Sequence, residues 1–528
     1  MPPIKVIGVT QGSNFSVFLQ LMELLKQQEI ISDAVAYVAD SMAFQALHKN
    51  EPGSLDSDMK LLREWEITTK GRKRAPDWAR LREYEKTLGD PVFWNALLAD
   101  RRIFFGYRCK SRQDYKSRFS YEEMGGILLT AIEQIEAFIS ATQPGLIIGF
   151  GTSTIGDYVF YLFAQSRGIP YLQLKATKIN NRVAFNDDVV ALSSHIQKTY
   201  FSSEPLPEWA MNEARSYIAA VKMRGIRYEG AIQTKRRFSL KDNIKAVLTG
   251  LAVDMRRLRN KETREDNHVE SMFLNHFHER FRNPFRNWLI ARQLGKQVLD
   301  FAEIKKLSDF AFYPLHFEPE VSLQVFGRPF QNQIELARTL AASLPAGMLL
   351  LVKEHPRARG YRSMNYYRKL LEIPNLRLVD SRLPTYVLVQ RARLVAVVSG
   401  STGLEAVICE RPVVTFGIPV YNILHGNMLH HAGDLNNLAW DIQQLLQNYR
   451  YDERRLCQYI GSTIMGSAPV DLYTALLGKP GRVQEGREYM SKDARRRADY
   501  DLLASYCRDR IAEVTNTNYG EALRQESD

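Results

Sequence analysis

The stretch from Val395 to Gly417 constrains the fold of this chain more than any other. It reads VAVVSGSTGLEAVICERPVVTFG. The apolar run 395–398 predicts a strand, small residues fill the loop 399–402, a short helical pattern covers 403–409, and an Arg-Pro pair ends it before a second strand at 413–416. Strands joined through a single helix pair in parallel, which requires a layered α/β fold.

The loop in this stretch suits close approach to a ligand. Its residues are Ser399, Gly400, Ser401 and Thr402, and the predicted helix behind them aims free N–H groups and a partial positive charge at the loop. Thr402 and Glu405 have the spacing of a capping box, so Thr402 is the predicted N-cap. Phosphate is the natural occupant, although many α/β folds use the same joint without a ligand.

A second loop follows the apolar run 349–352 and contains Lys353, His355 and Pro356. It lies at the carboxyl end of a neighbouring strand, where open α/β sheets bind ligands. Lys353 carries the charge to neutralise a phosphate, and His355 has the N–H to donate to phosphate or to a ribose hydroxyl. Pro356 restricts the backbone beside the imidazole. The alternative is that the histidine is a simple turn residue.

A third loop, 314–320, follows a predicted strand at 310–313. It holds His316, Glu318 and Glu320 together with two prolines, which stiffen the backbone. Paired acids held in such a loop suit a general base or the binding of sugar hydroxyls. A solvated turn with acids at a helix start is the competing interpretation.

Strand and helix patterns alternate about five times between residues 308 and 420, which predicts a doubly wound parallel sheet with all three loops at its carboxyl edge. The amino-terminal half predicts a second such unit, with strands at 4–9 and 145–149. The loop 150–154 after the latter strand faces the cleft from the acceptor side or serves only for packing. The glycines there do not fit GxGxxG, which excludes a nicotinamide cofactor.

Composition predicts a chain of two to four domains with anionic partners. The 528 residues carry 71 Lys and Arg against 59 Asp and Glu, a net charge of +12, which favours nucleotides, anionic glycans and anionic lipids. No apolar stretch is expected to approach the roughly eighteen residues of a membrane helix, and the first residues lack a signal-peptide core. We therefore expect a cytoplasmic protein.

Metal binding is not expected. The four cysteines are far apart and form no CxxC pair, so neither a zinc site nor a disulfide framework is predicted. His425, His430 and His431 lack carboxylates at ligand spacing and are predicted to lie on the surface or to line the cleft.

The region from about 190 to 305 is helical and basic in pattern. It contains Lys235-Arg236-Arg237, a basic cluster at 256–259, and the run 282–292 with Phe285 and Trp288 interleaved. Such helices lie on an anionic membrane surface or bind an anionic glycolipid, or they are simply solvated. No nucleic-acid motif is found.

The three loops together resemble the capsule polysaccharide synthesis and export family. PLHFEPE, KEHP and SGSTGLEAVICERPVVTFG carry the resemblance over residues 308–425, with weaker likeness over 143–188. The family includes bacterial Kdo transferases that build capsule linkers, and the arrangement is similar to the nucleotide-binding half of GT-B glycosyltransferases. The His-Pro pair and the Ser/Thr-rich loop are similar to the motifs that hold the cytidine nucleotide in bacterial polysialyltransferases.

The resemblance implies a GT-B-like α/β fold, with two Rossmann-like domains facing each other across a cleft and with added helical segments. The implied parts are an N-terminal acceptor domain, a basic helical insertion, a C-terminal nucleotide-sugar-binding domain, and final helices that cross back to the first domain, over residues 1–190, 191–305, 306–480 and 481–528.

The resemblance also implies roles for the predicted residues. His355 and the loop from Ser399 to Thr402 would contact the donor's phosphate and nucleotide, and Glu405 would reach a ribose hydroxyl, although capping explains it equally well. Glu318 and Glu320 would face the cleft as base or sugar-orienting groups, in the same loop as His316. Lys353, His355 and the helix N-terminus would stabilise the departing nucleotide in place of a metal.

The expected activity is a glycosyltransferase of bacterial capsule synthesis that transfers a sugar such as Kdo from a CMP-linked donor to a glycan or glycolipid. The donor is a substrate, and no cofactor is expected. The chain lacks the acidic triplet of the sialyltransferases, since Asn186-Asp187-Asp188 has no glycine. Two alternatives stay open: a CDP-polyol phosphotransferase, and a non-catalytic member that binds the polymer and assists an export complex at the inner membrane.

Overall fold

The computed structural model describes residues 3–42, 44–45, 59–90, 94–104, 117–227, 239–266, 271–484 and 486–515. The predicted basic run Lys235-Arg236-Arg237 and Cys109 lie outside these ranges. Two sheets, each covered by helices, form the described part of the chain, which confirms the predicted α/β architecture of two Rossmann-like units with added helical segments.

The N-terminal sheet has six strands in the order β3-β2-β1-β4-β5-β6, and only β6 runs antiparallel to its neighbour. Its strands are β1 (Ile4–Thr10), β2 (Ile31–Val38), β3 (Leu61–Arg63), β4 (Leu146–Gly149), β5 (Tyr171–Ala176) and β6 (Val183–Asn186). Its helices are α1 (Asn14–Gln27), α2 (Glu64–Gly71), α3 (Trp78–Leu88), α4 (Trp94–Ala99), α5 (Arg101–Phe104), α6 (Tyr121–Thr142) and α7 (Ile155–Ser166).

The middle of the chain is helical. Its helices are α8 (Ser194–Phe201), α9 (Glu208–Arg224), α10 (Leu240–Arg259), α11 (Lys261–Glu265), α12 (Met272–Phe277) and α13 (Asn283–Leu294), with a π-helical turn at His278–Arg282. The segment from α10 to α13 contacts both units, because the Ser41 N–H donates to Asp266 Oδ2 at 2.6 Å and Arg286 Nη1 donates to the Tyr361 carbonyl at 3.1 Å.

The C-terminal sheet is parallel throughout, in the order β13-β12-β11-β8-β9-β10-β7. Its strands are β7 (Val298–Leu299), β8 (Phe310–Pro314), β9 (Leu349–Lys353), β10 (Leu376–Val379), β11 (Leu394–Val397), β12 (Val413–Thr415) and β13 (Leu429–His431). Its helices are α14 (Phe301–Ile304), α15 (Val321–Gln324), α16 (Gln333–Ala342), α17 (Met364–Leu371), α18 (Thr385–Arg391), α19 (Ser401–Ile408), α20 (Leu438–Asn448), α21 (Glu453–Met465) and α22 (Lys492–Thr515).

The strand order of this sheet reverses at β8. From β8 the chain proceeds to β9 and β10 on one side and then returns to place β11 on the other side. In open parallel sheets such a reversal opens a crevice between the loops that leave the two adjacent strands. The loops after β8 and β11 therefore flank the position where a ligand is expected.

Alternation along the strands divides the core of this unit into two faces. Phe310, Phe312 and Leu351 pack with α9, α18 and α19, whereas Tyr313 and Val352 pack on the opposite face with α16 and α17. Residues that end a strand inherit this alternation. Neighbouring polar residues at the end of β9 are consequently directed to different clusters.

The helix α6 contradicts the expectation that no apolar stretch approaches a membrane-spanning length. It has 22 residues and a window of mean hydropathy 1.3, and 67% of that window is buried inside the protein. A Cβ added at Gly71 of α2 would lie 2.5 Å from the Cα of Ile127, so the two helices touch through their backbones. By its packing, α6 is a core helix of the N-terminal unit.

The helix α22 belongs to the core of the N-terminal unit although it follows the C-terminal sheet in the chain. Leu503, Cys507 and Ile511 are buried together with Phe15 and Phe18 of α1. The N-terminal core is therefore built from both ends of the described chain.

Candidate functional site

The loops after β8, β9 and β11 meet at the carboxyl edge of the C-terminal sheet. A Cβ added at Gly400 would lie 3.0 Å from Cε1 of His316, so the β8 and β11 loops are in direct contact. Ser399 Oγ donates to the Ser322 carbonyl at 2.6 Å and fixes the same junction. His355 of the β9 loop is near enough to lower the pKa of His316 by its charge, after burial, which is the larger cause.

The helix α19 begins earlier than the sequence predicts. Its N-cap is Gly400, with no side-chain cap, so the predicted capping box of Thr402 and Glu405 is wrong. Ser401 and Thr402 lie in the first helical turn, where backbone N–H groups lack intrahelical acceptors. Tyr421, which sequence reasoning missed, donates its hydroxyl to the Gly400 carbonyl at 2.5 Å and fixes the start of the helix.

His355 is arranged as a hydrogen-bond donor. Its Nδ1 accepts the Arg357 N–H at 3.2 Å, which places the ring proton on Nε2. Desolvation lowers the pKa of His355, while the charges of Glu320 and Glu354 oppose this shift. Pro356 begins the short 3-10 turn that supplies this contact. The neutral ring therefore keeps an N–H available beyond its own loop.

His316 is buried at the centre of the junction. Its backbone N–H donates to Gln333 Oε1 at 2.6 Å, and its backbone carbonyl accepts from Arg362 Nη2 at 2.5 Å. Burial, as the largest cause, lowers the pKa of His316 to about 3, so the ring is neutral. Its Nε2 has no protein partner. An orphaned buried nitrogen of this kind is expected to be satisfied by a ligand or water.

Glu318 belongs to a buried ion-pair network rather than to the open crevice. Arg362 lies 3.3 Å from Glu318 and also pairs with Glu354, and its side chain has no exposed surface. Glu318 accepts a further hydrogen bond from Gln333, and Tyr367 donates to Glu354 Oε2 at 2.6 Å. Two carboxylates around one buried guanidinium form a rigid support beneath the β8 loop.

Glu320 is the exposed carboxylate of the β8 loop. Ser322 Oγ donates to its Oε2 at 3.0 Å. Lys178 and His355 are close enough to interact with its charge. Of the two acids predicted for this loop, Glu320 is the one in position to meet a bound molecule.

Lys353 and Glu405 lie below the edge, on the face that α9 covers. Lys353 Nζ donates to Thr385 Oγ1 at 2.8 Å, and burial, as the main cause, lowers the pKa of Lys353 to about 8. Burial raises the pKa of Glu405 to about 7, against the opposing effects of the Ile226 N–H and of Lys353. The structure thus separates these two residues from the three crevice loops.

The N-terminal unit supplies the opposite wall with residues that sequence reasoning missed. Lys178 follows β5 and is exposed. It is close enough to Glu320 and His316 for its charge to act on both. Arg328 Nη2 donates to Tyr158 Oη at 3.0 Å across the two units. No local motif distinguishes Lys178, because its position depends on how the units pack.

The loop 150–154 of the N-terminal unit is largely satisfied by its own surroundings. Thr154 and Asp157 form a complete capping box, and Gln173 donates to Thr152 Oγ1 at 2.8 Å. Burial, as the largest cause, raises the pKa of Asp157 to about 7. These contacts favour the packing interpretation of this loop.

The acidic pair 187–188 caps turns. Asp187 accepts the Ser194 N–H at 2.9 Å, and Asp188 accepts the Ala191 N–H at 2.7 Å. Within the described ranges no group of three His, Cys, Asp or Glu residues is arranged to hold a metal. His430 pairs with Asp441 at 3.1 Å, a contact that its sequence spacing did not suggest.

The segment that forms this site matches a family of known proteins. Residues 290–426 match a family model described as "Capsule polysaccharide biosynthesis protein", which confirms the resemblance predicted from the three motifs over this segment. Among curated proteins nothing matches.

Solved structures of similar shape are distant in sequence. The chain is similar to the Thermosulfurimonas dismutans KpsC beta Kdo 2,7 transferase, with 10% identity, 67% of this chain and 91% of that chain covered, and a TM-score of 0.33. It is also similar to the UDP-GlcNAc 2-epimerase from Neisseria meningitidis bound to UDP-GlcNAc, with 12% identity, coverage of 87% and 98%, and a TM-score of 0.27.

Proposed function

We propose that this chain, which matches the capsule polysaccharide biosynthesis family over residues 290–426, is a glycosyltransferase that uses a nucleotide-activated sugar. The observation that supports it is the contact of the β8 and β11 loops at the strand-order reversal, with His316 against Gly400 and His355 beside them. A donor bound there would lie in the crevice typical of nucleotide-binding sheets.

The donor's phosphate would sit against the first turn of α19. The backbone N–H groups of Ser401 and Thr402, in the first turn of α19, would donate to it, and the His355 Nε2–H would provide a third donor. When the bond to the sugar breaks, negative charge develops on the departing nucleotide. Fixed donors at that point stabilise the charge without reorganising, which is electrostatic catalysis.

Glu320 is our candidate for the group that accepts a proton from the acceptor hydroxyl or orients the sugar. It is exposed in the crevice, whereas Glu318 is committed to Arg362. Lys178 faces it from the N-terminal unit and would pair with a carboxylate on the donor sugar. An acidic sugar such as Kdo carried on CMP fits this charge.

The acceptor would be a glycan or glycolipid bound by the N-terminal unit. Under this proposal the reaction occurs in the cytoplasm at the inner membrane, next to the export machinery that receives the polymer. The basic helices of the middle segment are the part of the chain best suited to contact that membrane surface.

The test is calorimetric titration of CMP, CDP, UDP and GDP into the purified protein and a His355→Ala variant. We expect micromolar binding of CMP and a loss of at least about tenfold in the variant, or roughly 1.4 kcal/mol. His430→Ala is the matched control, because that imidazole lies on the edge strand β13 and pairs with Asp441. Preference for UDP or GDP would overturn the proposed CMP-linked donor. Failure to bind any nucleotide would overturn the proposed transferase activity.

A CDP-polyol phosphotransferase also binds a cytidine nucleotide and also releases CMP. Mass analysis of the acceptor after turnover separates the two reactions, since a phosphopolyol adds phosphorus to the product and a glycosyl group does not.

A further inference from the structure

The helix α10 presents a continuous apolar row to solvent. The residues in this row are 40 to 63% exposed, although each is a large aliphatic side chain or methionine. They are Leu240, Ile244, Leu248, Leu251, Met255 and Leu258. Single exposed apolar residues are ordinary on protein surfaces, but an ordered row of six is the signature of a contact face.

The spacing of the row confines it to one narrow side of the helix. Successive members stand three or four residues apart, which at 100° per residue keeps all six within about 80° of the circumference. The side held by the protein adjoins the row, because Asp254 and Asn243 lie about 40° and 60° around the helix from Leu240, on the side away from Leu248. Asp254 accepts hydrogen bonds from Ser271 Oγ at 2.6 Å and the Met272 N–H at 3.0 Å, and Arg280 Nη1 donates to Asn243 Oδ1 at 2.8 Å.

This arrangement is the reverse of an ordinary surface helix. An amphipathic helix of a globular domain normally buries its apolar side and exposes its polar one. Here polar contacts anchor α10 to the body, and the apolar side is left outward. The energetic cost of that exposure is offset when another apolar phase covers the row.

A row of basic residues borders the apolar row along one flank. Lys241, Lys245, Arg256 and Arg259 are exposed and fall about 100 to 160° around the helix from Leu240. The two acids of the helix, Asp242 and Asp254, lie beyond this flank or on the anchored side. The apolar row therefore has a cationic border on its solvent-facing flank, and the anchored side with Asp254 borders its other flank.

A second exposed patch occurs on α13 of the same helical segment. Phe285 and Trp288 are 60% and 51% exposed and stack with ring centroids 5.9 Å apart. The Arg292 guanidinium lies over the Trp288 ring at 5.5 Å. Aromatic rings next to arginine are characteristic of protein surfaces at the level of lipid headgroups.

We infer that α10 lies on an anionic bilayer, with its apolar row in the acyl boundary and its basic flank among the headgroups. The cationic border selects this occupant over a second copy of the helix. An antiparallel second copy would bring the two basic flanks together, whereas anionic headgroups neutralise the flank. This inference is independent of the donor nucleotide and of the reaction.

The test is co-sedimentation of the full chain with vesicles of phosphatidylglycerol and phosphatidylcholine in equal parts, compared with phosphatidylcholine alone. We expect binding to the anionic vesicles that weakens with added salt. A triple variant, Leu248→Gln, Leu251→Gln and Met255→Gln, should lose binding by at least about tenfold.

Two further variants separate the contributions. A quadruple change of Lys241, Lys245, Arg256 and Arg259 to Gln should abolish the preference for anionic vesicles. The matched control changes three exposed apolar residues elsewhere, Phe201, Met223 and Trp440, to Gln and should bind as the wild type does, since these residues are 70%, 74% and 62% exposed. Circular dichroism and the melting temperature verify that each variant is folded.

The inference is overturned if the wild type ignores anionic vesicles or if the α10 triple variant binds them as well as the control. Light scattering tests the competing occupant. A wild-type dimer that leaves vesicles unbound and dissociates in the triple variant would assign the row to a second copy of the chain.

Discussion

The two sheets have the same construction but treat their carboxyl edges differently. In the C-terminal unit the loops leave His316 Nε2 without a protein partner, hold the His355 ring proton on Nε2 and keep Glu320 exposed. In the N-terminal unit Thr154 and Asp157 cap each other and close their loop. The difference teaches that topology gives each unit a place for a ligand, and the loop residues decide which groups that place offers.

The largest effect should come from removing the support beneath the C-terminal edge. Arg362→Met leaves Glu318 and Glu354 buried without their cation, so we expect the free energy of unfolding to fall by about 3–5 kcal/mol. Urea denaturation measures it. The control is Arg382→Met, whose pair with Asp380 is exposed and should change the free energy of unfolding little. Equal losses would show that the buried network is not the support described here.

The pH dependence of stability should report the burial of Glu405. Burial raises the folded-state pKa of Glu405 to about 7, so the folded chain holds a proton that the unfolded chain has released. Its contribution is present below the unfolded pKa and is lost as pH rises toward 7, which lowers the free energy of unfolding by about 1–3 kcal/mol.

Glu405→Gln should flatten that decline between about pH 4.5 and 7. Chemical denaturation at several pH values measures the slope. Glu320→Gln is the matched control for the change from acid to amide at an exposed position. An unaltered slope in Glu405→Gln would contradict the burial of that acid.

A pair of glycines compares the two edges directly. Gly400→Ala would place a Cβ 3.0 Å from the His316 ring and displace it, so we expect nucleotide affinity to fall about tenfold, or roughly 1.4 kcal/mol. Gly151→Ala at the other edge meets only Ser153 Oγ at 3.8 Å and should change affinity little. Calorimetry with CMP measures both. The reverse order would move the nucleotide to the N-terminal unit.

Much of the fold was predictable because parallel strands are apolar throughout and their connecting helices have a different period. The runs 349–352 and 395–398 gave β9 and β11 within a residue, and topology then placed their loops at one edge. The predicted start of α19 at residue 403 was wrong, because the small residues at 399–402 fit either a loop or a first helical turn.

The partners of the site residues were not predictable, because they come from distant parts of the chain. Arg362 reaches the His316 carbonyl across 46 positions, and Lys178 approaches from the other unit. Alternation along β9 directs the side chains of Lys353 and Glu354 to opposite faces of the sheet. Which of these two faces meets a ligand depends on the packing of both units. The outward direction of the α10 row likewise depends on contacts with α12, which no local pattern encodes.

The position of α22 has a consequence for how the protein is made. Because Leu503, Cys507 and Ile511 complete the core around α1, the amino-terminal unit stays open until α22 has left the ribosome. Domains usually finish in the order of synthesis. Here every described strand of both sheets is synthesised before α22, so Phe15 and Phe18 lack part of their final packing until the end of translation.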